Sequence, residues 1–120
     1  MAGRRKERLS DQIRDEVSRI ILFEMNDPRM GFVTVTGVEL AGDLKSAKVK
    51  VSILGDEKSE TITMNVIKHA RGFIQKELGA RISTRYLPQI SFELDESVKR
   101  SVRLSKTLKD VLEDTNGSRE

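Results

Sequence analysis

From Ala47 to Ile53 the chain alternates without a break: Ala47, Val49, Val51 and Ile53 are apolar, and Lys48, Lys50 and Ser52 between them are polar. Successive side chains of a strand point to opposite faces, so this segment has one dry face and one wet face. The dry face needs a cover and the wet face rejects one. The pattern therefore argues against a strand buried on both sides and asks for a sheet with helices on one face.

The flanking sequence supplies both kinds of element. Phe32-Val33-Thr34-Val35-Thr36 is aromatic and β-branched, and Gly37-Val38-Glu39-Leu40 continues it across an expected bulge. Ala41-Gly42-Asp43-Leu44 reads as the turn between the two strands, and Gly55-Asp56-Glu57-Lys58 as a polar turn after the second. Gln89–Leu94 alternates again and reads as a third strand with Ile90, Phe92 and Leu94 inward. Helical spacing appears first at Leu9, Ile13, Val17, Ile20 and Ile21, with Phe23 and Met25 widening the apolar end and Asn26-Asp27-Pro28 closing it. A second stripe, Ile62, Val66, Ala70 and Phe73, starts from about Ser59. Gly72 interrupts it at a cost of about 1 kcal/mol against Ala, which predicts two helices meeting at Ala70-Arg71-Gly72. The stripe resumes at Ile74 and Leu78 and is expected to stop at Gly79 as a C-cap. A last helix is expected over 97–113, carrying Val98, Val102, Leu108 and Leu112. The fold class is α+β, with three strands and the helices packed on one face.

One domain over residues 1–113 suits a chain of 120 residues, and the tail 114–120 reads as disordered and acidic. With no Cys, a disulfide framework, thiolate catalysis and Cys-based zinc sites are excluded, and a single His excludes a multi-His metal site. No apolar run approaches the ~20 residues of a membrane span. Met1–Ser10 is basic without an apolar stretch behind it, so it reads neither as a signal peptide nor as a transit segment. A small, soluble, intracellular protein is the expectation. No nucleophile–base pair and no Gly-rich phosphate loop stand out, so neither enzyme chemistry nor a cofactor is expected.

The net charge of +3 conceals segregation. Arg4, Arg5, Lys6 and Arg8 face only Glu7 within 1–8; Lys68, Arg71, Lys76, Arg81 and Arg85 face only Glu77 within 68–85; and Lys99, Arg100, Arg103, Lys106 and Lys109 face no acid. Such clustering points to a polyanion partner, against the plainer reading of solvated helix faces.

In order and separation, several motifs resemble one family. They are Asp27-Pro28-Arg29, Val33-Thr34-Val35-Thr36-Gly37-Val38-Glu39, Gly42-Asp43-Leu44 and Ala47–Ser52, followed by Ala70-Arg71-Gly72-Phe73-Ile74, Leu78-Gly79, Arg85, Pro88 and Phe92–Ser97. Over about residues 4–112 the chain resembles the ribosome-binding factor A family of bacterial assembly proteins. The resemblance implies a type II KH-like fold, α-β-β-α-kink-α-β plus a C-terminal helix, in which an Ala-x-Gly kink, here Ala70, Arg71 and Gly72, replaces the usual Gly-x-x-Gly loop. It implies binding to the free 30S subunit, assistance in late maturation and processing of 16S rRNA, a role at low temperature and a cytoplasmic location. It also implies a small assembly GTPase that releases the factor.

In a KH-type fold RNA lies against the junction of the two middle helices. Lys68, Arg71, Gln75 and Lys76 stand near that junction in sequence, and Arg81 and Arg85 follow. Arg4, Arg5, Lys6 and Arg8 read as a mobile arm that orders on RNA. Gly72 is either a packing kink or a place where an RNA backbone approaches closely. His69 reads as an ordinary helix residue, and Asp27-Pro28-Arg29 as a helix stop with a local ion pair or cap, the alternative being that Arg29 reaches RNA. Phe73 and Phe92 read as core. Tyr86 is the best aromatic candidate for base stacking, but Leu87 and Pro88 beside it argue for burial. A protein-docking module on a ribosomal protein or GTPase, and a general RNA chaperone, are the alternatives. A monomer is expected, because no apolar stripe is left over.

Overall fold

A computed structural model describes residues 2–97; the expected last helix, its basic run 99–109 and the tail 114–120 lie outside the described residues. The elements are α1 (Ala2–Arg19), extended by a π-helical turn (Ile20–Glu24), then β1 (Phe32–Leu40), β2 (Ser46–Leu54), α2 (Glu57–His69), α3 (Arg71–Arg81) and β3 (Gln89–Leu94). The sheet order is β1-β2-β3, with β1 antiparallel and β3 parallel to β2.

The expected bulge falls between Val35 and Gly37. It is required by the spacing of the apolar residues. Val33 and Val35 face Ile53 and Val51 across the ladder, and Val38 and Leu40 face Val49 and Ala47. Without the extra residue the second pair would turn to the wet face. With it, one face of all three strands is apolar. Against that face α1 lays Ile13 and Val17 and its π-helical turn lays Ile20, while α2 and α3 add Ile67, Ile74 and Leu78, all fully buried. The wet face is closed by charge pairs: Lys50 Nζ lies 2.9 Å from Glu39 and Lys48 Nζ 3.1 Å from Glu93.

Several boundaries differ from expectation. Arg4–Arg8 form the beginning of α1 rather than a mobile arm, because Arg, Lys and Glu are good helix formers and nothing there breaks the helix. The α2 helix begins at Glu57, two residues before the expected start, since Asp56 is its N-cap and accepts from the Ser59 amide at 2.8 Å. Gly79 lies inside α3, which runs on to Arg81. The reason is the row Ile74, Leu78 and Ile82 at spacings of four, whose last member is buried too.

The junction of α2 and α3 is a single residue. Ala70 donates to Val66 and Ile67 carbonyls at 3.0 and 3.1 Å, ending α2, and its own carbonyl accepts from Ile74 at 2.9 Å, starting α3. The break rotates one helix against the other, so the stripe read across it is not the core. Ile62, Val66 and Ala70 are only partly buried and Phe73 is 43% exposed. The buried row runs instead through Thr63, Met64 and Ile67 into Ile74 and Leu78. Phe92 is buried as expected. Leu22, Phe23, Phe32 and Leu54 are exposed, so apolar surface is left over after all.

Candidate nucleic-acid interface

Two grooves flank the helical layer, and their chemistry differs. The first, about 920 Å³, lies between the end of α1 and the α2–α3 junction. The displaced stripe Ile62, Val66, Ala70 and Phe73 forms one wall, and Glu24, Asp27 and Arg29 stand opposite. Pro28 stops the helix, and Asp27 accepts from the Arg29 amide at 2.9 Å and from its guanidinium at 3.0 and 2.6 Å. These bonds from Arg29 push the Asp27 carboxyl down to about 2. The guanidinium is thereby matched locally, and Glu24 adds a further negative charge. No side chain caps the N-terminus of α3 at Ala70.

The basic residues expected at this junction are dispersed. Arg71 sends Nη1 to the Ile90 carbonyl of β3 at 3.3 Å. Gln75 uses both ends of its amide on the same strand edge: Nε2 donates to Pro88 O at 3.0 Å and Oε1 accepts from Ile90 N at 2.8 Å. Arg81 sits among three carboxylates, Glu16, Glu24 and Glu77, at 3.4–3.7 Å, tying the end of α3 to α1. Gln75 and Arg81 thus hold the fold together. Lys68 and Lys76 are exposed and have no ion pair among the described residues.

The second groove, about 780 Å³, is where positive charge collects. Arg5 and Arg8 come from the first turns of α1, Lys45 from the β1–β2 turn, and Arg85 from the loop before β3. Leu9, Leu44 and Leu87 form its apolar floor, all packed against the core. Tyr86 stands in it 74% exposed, with the Arg85 guanidinium 5.4 Å from the ring centroid. The proximity of Leu87 and Pro88 did not bury it: Pro88 is buried while the Tyr86 ring points outward. The one acid in the groove, Asp43, accepts from the Lys45 amide at 3.0 Å and shapes the turn. Leu44 beside it is held at φ 61, a left-handed conformation that costs a non-glycine residue about 1–2 kcal/mol.

Topology creates this groove. A strand that returns parallel to its neighbour brings both strand beginnings to the same end of the sheet. Here Gln89 N donates to Lys45 O at 3.0 Å, so the loop 83–87 lands beside the hairpin turn. The start of α1 lies at the same end, since Lys6, Glu7 and Asp11 line a neighbouring depression with Val38–Leu40. That depression holds Lys6 among carboxylates, apart from Arg5 and Arg8. Lys45 was missed in the sequence, where it is a lone lysine after a turn; the strand–helix–helix–strand order was the signal that placed it beside Arg85. Among the described residues no group of three or more His, Asp or Glu could hold a metal ion, and no helix is long and apolar enough to cross a membrane.

The ribosome-binding factor A family model matches residues 5–108. A ribosome-binding factor A of Halothermothrix orenii is 42% identical over 120 residues, covering 100% of this chain and 98% of that one. The crystal structure of ribosome-binding factor A from Thermus thermophilus matches with a TM-score of 0.67 at 24% identity, over 77% of this chain and 97% of that one. A homology model of the Thermus thermophilus factor, as fitted into the cryo-EM map of its 30S complex, matches with a TM-score of 0.62 at 24% identity, over 74% of this chain and 93% of that one. With its α+β, KH-like architecture and a family match across most of its length, this chain belongs to the ribosome-binding factor A family.

Proposed function

We propose that this chain binds the free 30S ribosomal subunit in the cytoplasm and assists late maturation and processing of 16S rRNA, including at low temperature. It acts without chemistry, by holding immature rRNA in one arrangement until folding is complete. Family membership supports the ribosomal target, and a homology model of one relative was fitted into the cryo-EM map of its 30S complex. The observation that carries the RNA reading is the convergence of Arg5, Arg8, Lys45 and Arg85 on one groove from three separated stretches of chain. Lys68, Lys76, Arg71 and Arg4 extend the cationic surface available to phosphates. A small assembly GTPase is the proposed releasing partner, and a monomer the proposed acting form.

Co-sedimentation with free 30S, 50S and 70S particles at low and high salt tests this. Salt-sensitive binding to 30S, with little to 50S or 70S, is expected. The double variant Arg5→Glu with Arg85→Glu should lose 30S binding while keeping the wild-type circular dichroism spectrum. Equal binding to all particles would make the protein a general polyanion binder. Salt-resistant binding that survives the double variant would favour a protein-docking module.

A further inference from the structure

We propose that the groove at the hairpin end selects an unpaired RNA nucleotide, its base stacked on Tyr86 and its flanking phosphates on Arg5, Arg8, Lys45 and Arg85. The inference rests on the RNA-binding reading above and names the form of RNA that this groove takes.

Phosphate contacts alone need only the cations. The groove holds more than that. The Arg85 guanidinium lies over the Tyr86 ring at 5.4 Å from its centroid, and with 74% of the residue exposed the ring is accessible to a second planar partner. Leu9, Leu44 and Leu87 line the same cleft and give it apolar surface beside the ring. At about 780 Å³ the groove has a volume typical of small-ligand sites, about 300–1,000 Å³. A nucleobase has the matching chemistry: an apolar face for the ring and floor, a polar edge for the water side, and an anion on each flank for the cations. A base within a duplex is already stacked on both faces and cannot reach the tyrosine. A-form RNA offers a side chain mainly phosphates and 2′-hydroxyls. Duplex RNA would therefore use the cations and leave Tyr86 idle. Stacking on an aromatic side chain contributes about 5- to 150-fold in affinity per base.

The chain's composition provides the probe. Tyr86 is the only tyrosine and there is no tryptophan, so intrinsic emission reports this ring alone. A short single-stranded oligoadenylate should quench that emission, whereas a blunt RNA duplex should bind without quenching. Tyr86→Ala should weaken oligoadenylate binding by about 5- to 150-fold and leave duplex binding unchanged, and Tyr86→Phe should restore it. The exposed ring supports no buried contact, so the variants should keep the wild-type melting curve. Equal quenching by duplex and single strand, or unchanged oligoadenylate binding by Tyr86→Ala, would overturn the proposal. Co-sedimentation separates the two readings. Wild-type protein that sediments with 30S, while Tyr86→Ala binds oligoadenylate normally, overturns the stacking site alone. Quenching by oligoadenylate without 30S binding supports the nucleotide site and overturns the ribosomal reading.

Discussion

Gly72 shows how a residue can be read correctly as unusual and still change its meaning. Its helical position predicts a kink, but the kink sits at Ala70, and a Cβ added at Gly72 would meet nothing within 4 Å. Packing therefore does not require glycine there. Gly72→Ala should raise stability by about 0.5 kcal/mol through helix propensity, read by chemical denaturation. The same variant decides the other reading: loss of 30S binding in a more stable protein would mean an RNA backbone passes over this position, and unchanged binding would exclude it. Thr63 is the opposite case, invisible in sequence and specific in structure. It is fully buried, and its Oγ1 accepts from the Gly31 amide at 2.9 Å across 32 residues. Thr63→Val keeps the shape and orphans that amide, so a loss of about 1–3 kcal/mol is expected in urea unfolding.

At the scale of elements, ends and edges carry the polar work. The end of β3 is fastened to the β1 bulge by Asp95, whose carboxylate accepts from Thr36 Oγ1 at 2.6 Å and from Ser97 N and Oγ at 2.9 and 2.6 Å. The bonds from Ser97 and Thr36 lower its carboxyl from 3.8 to about 2. A carboxyl depressed on folding stabilises the fold above its unfolded value and loses that contribution as pH falls through the folded one. The Asp95 contribution is thus present above about pH 4 and lost between about pH 4 and 2. Asp95→Asn should flatten the fall in melting temperature over that window and lower stability at neutral pH. An unaltered acid profile would remove Asp95 from this role. The outer edge of β3 is closed in turn by Gln75, whose amide occupies Pro88 O and Ile90 N as a neighbouring strand would.

Across the described molecule, residues 2–97, the charge is sorted by end rather than by face. The wet face of the sheet is neutralised by its Lys–Glu pairs, and the junction groove holds Glu24 and Asp27 with Arg29. Among the described residues, only the hairpin end gathers four cations around one engaged carboxylate. If each meets a phosphate, the log–log salt slope of 30S binding should be about −3. Lys45→Gln should reduce its magnitude by about 0.7–0.9. Lys48→Gln, already paired with Glu93, should leave it unchanged.

Element order, the bulge before Gly37, the third strand and the inward rows of β2 and β3 were legible in the sequence. They depend on period-two alternation and on residues close in the chain, and local sterics and burial decide such features. The same holds for the Asp27–Arg29 pair, two residues apart. The site was less legible. Arg81 and Gln75 looked like free polar side chains until α1 and β3 arrived beside them. Phe73 looked like core until a one-residue junction turned its helix. Arg5, Arg8, Lys45 and Arg85 became one groove only because β3 returns parallel to β2 and brings its approach loop to the hairpin turn. Sequence by itself determined which segments are helix or strand and which face of β2 and β3 is dry, because periodicity encodes burial. Which charges stay free, and which meet one another, was decided by the tertiary structure alone, because a partner dozens of residues away is set by topology and leaves no local pattern.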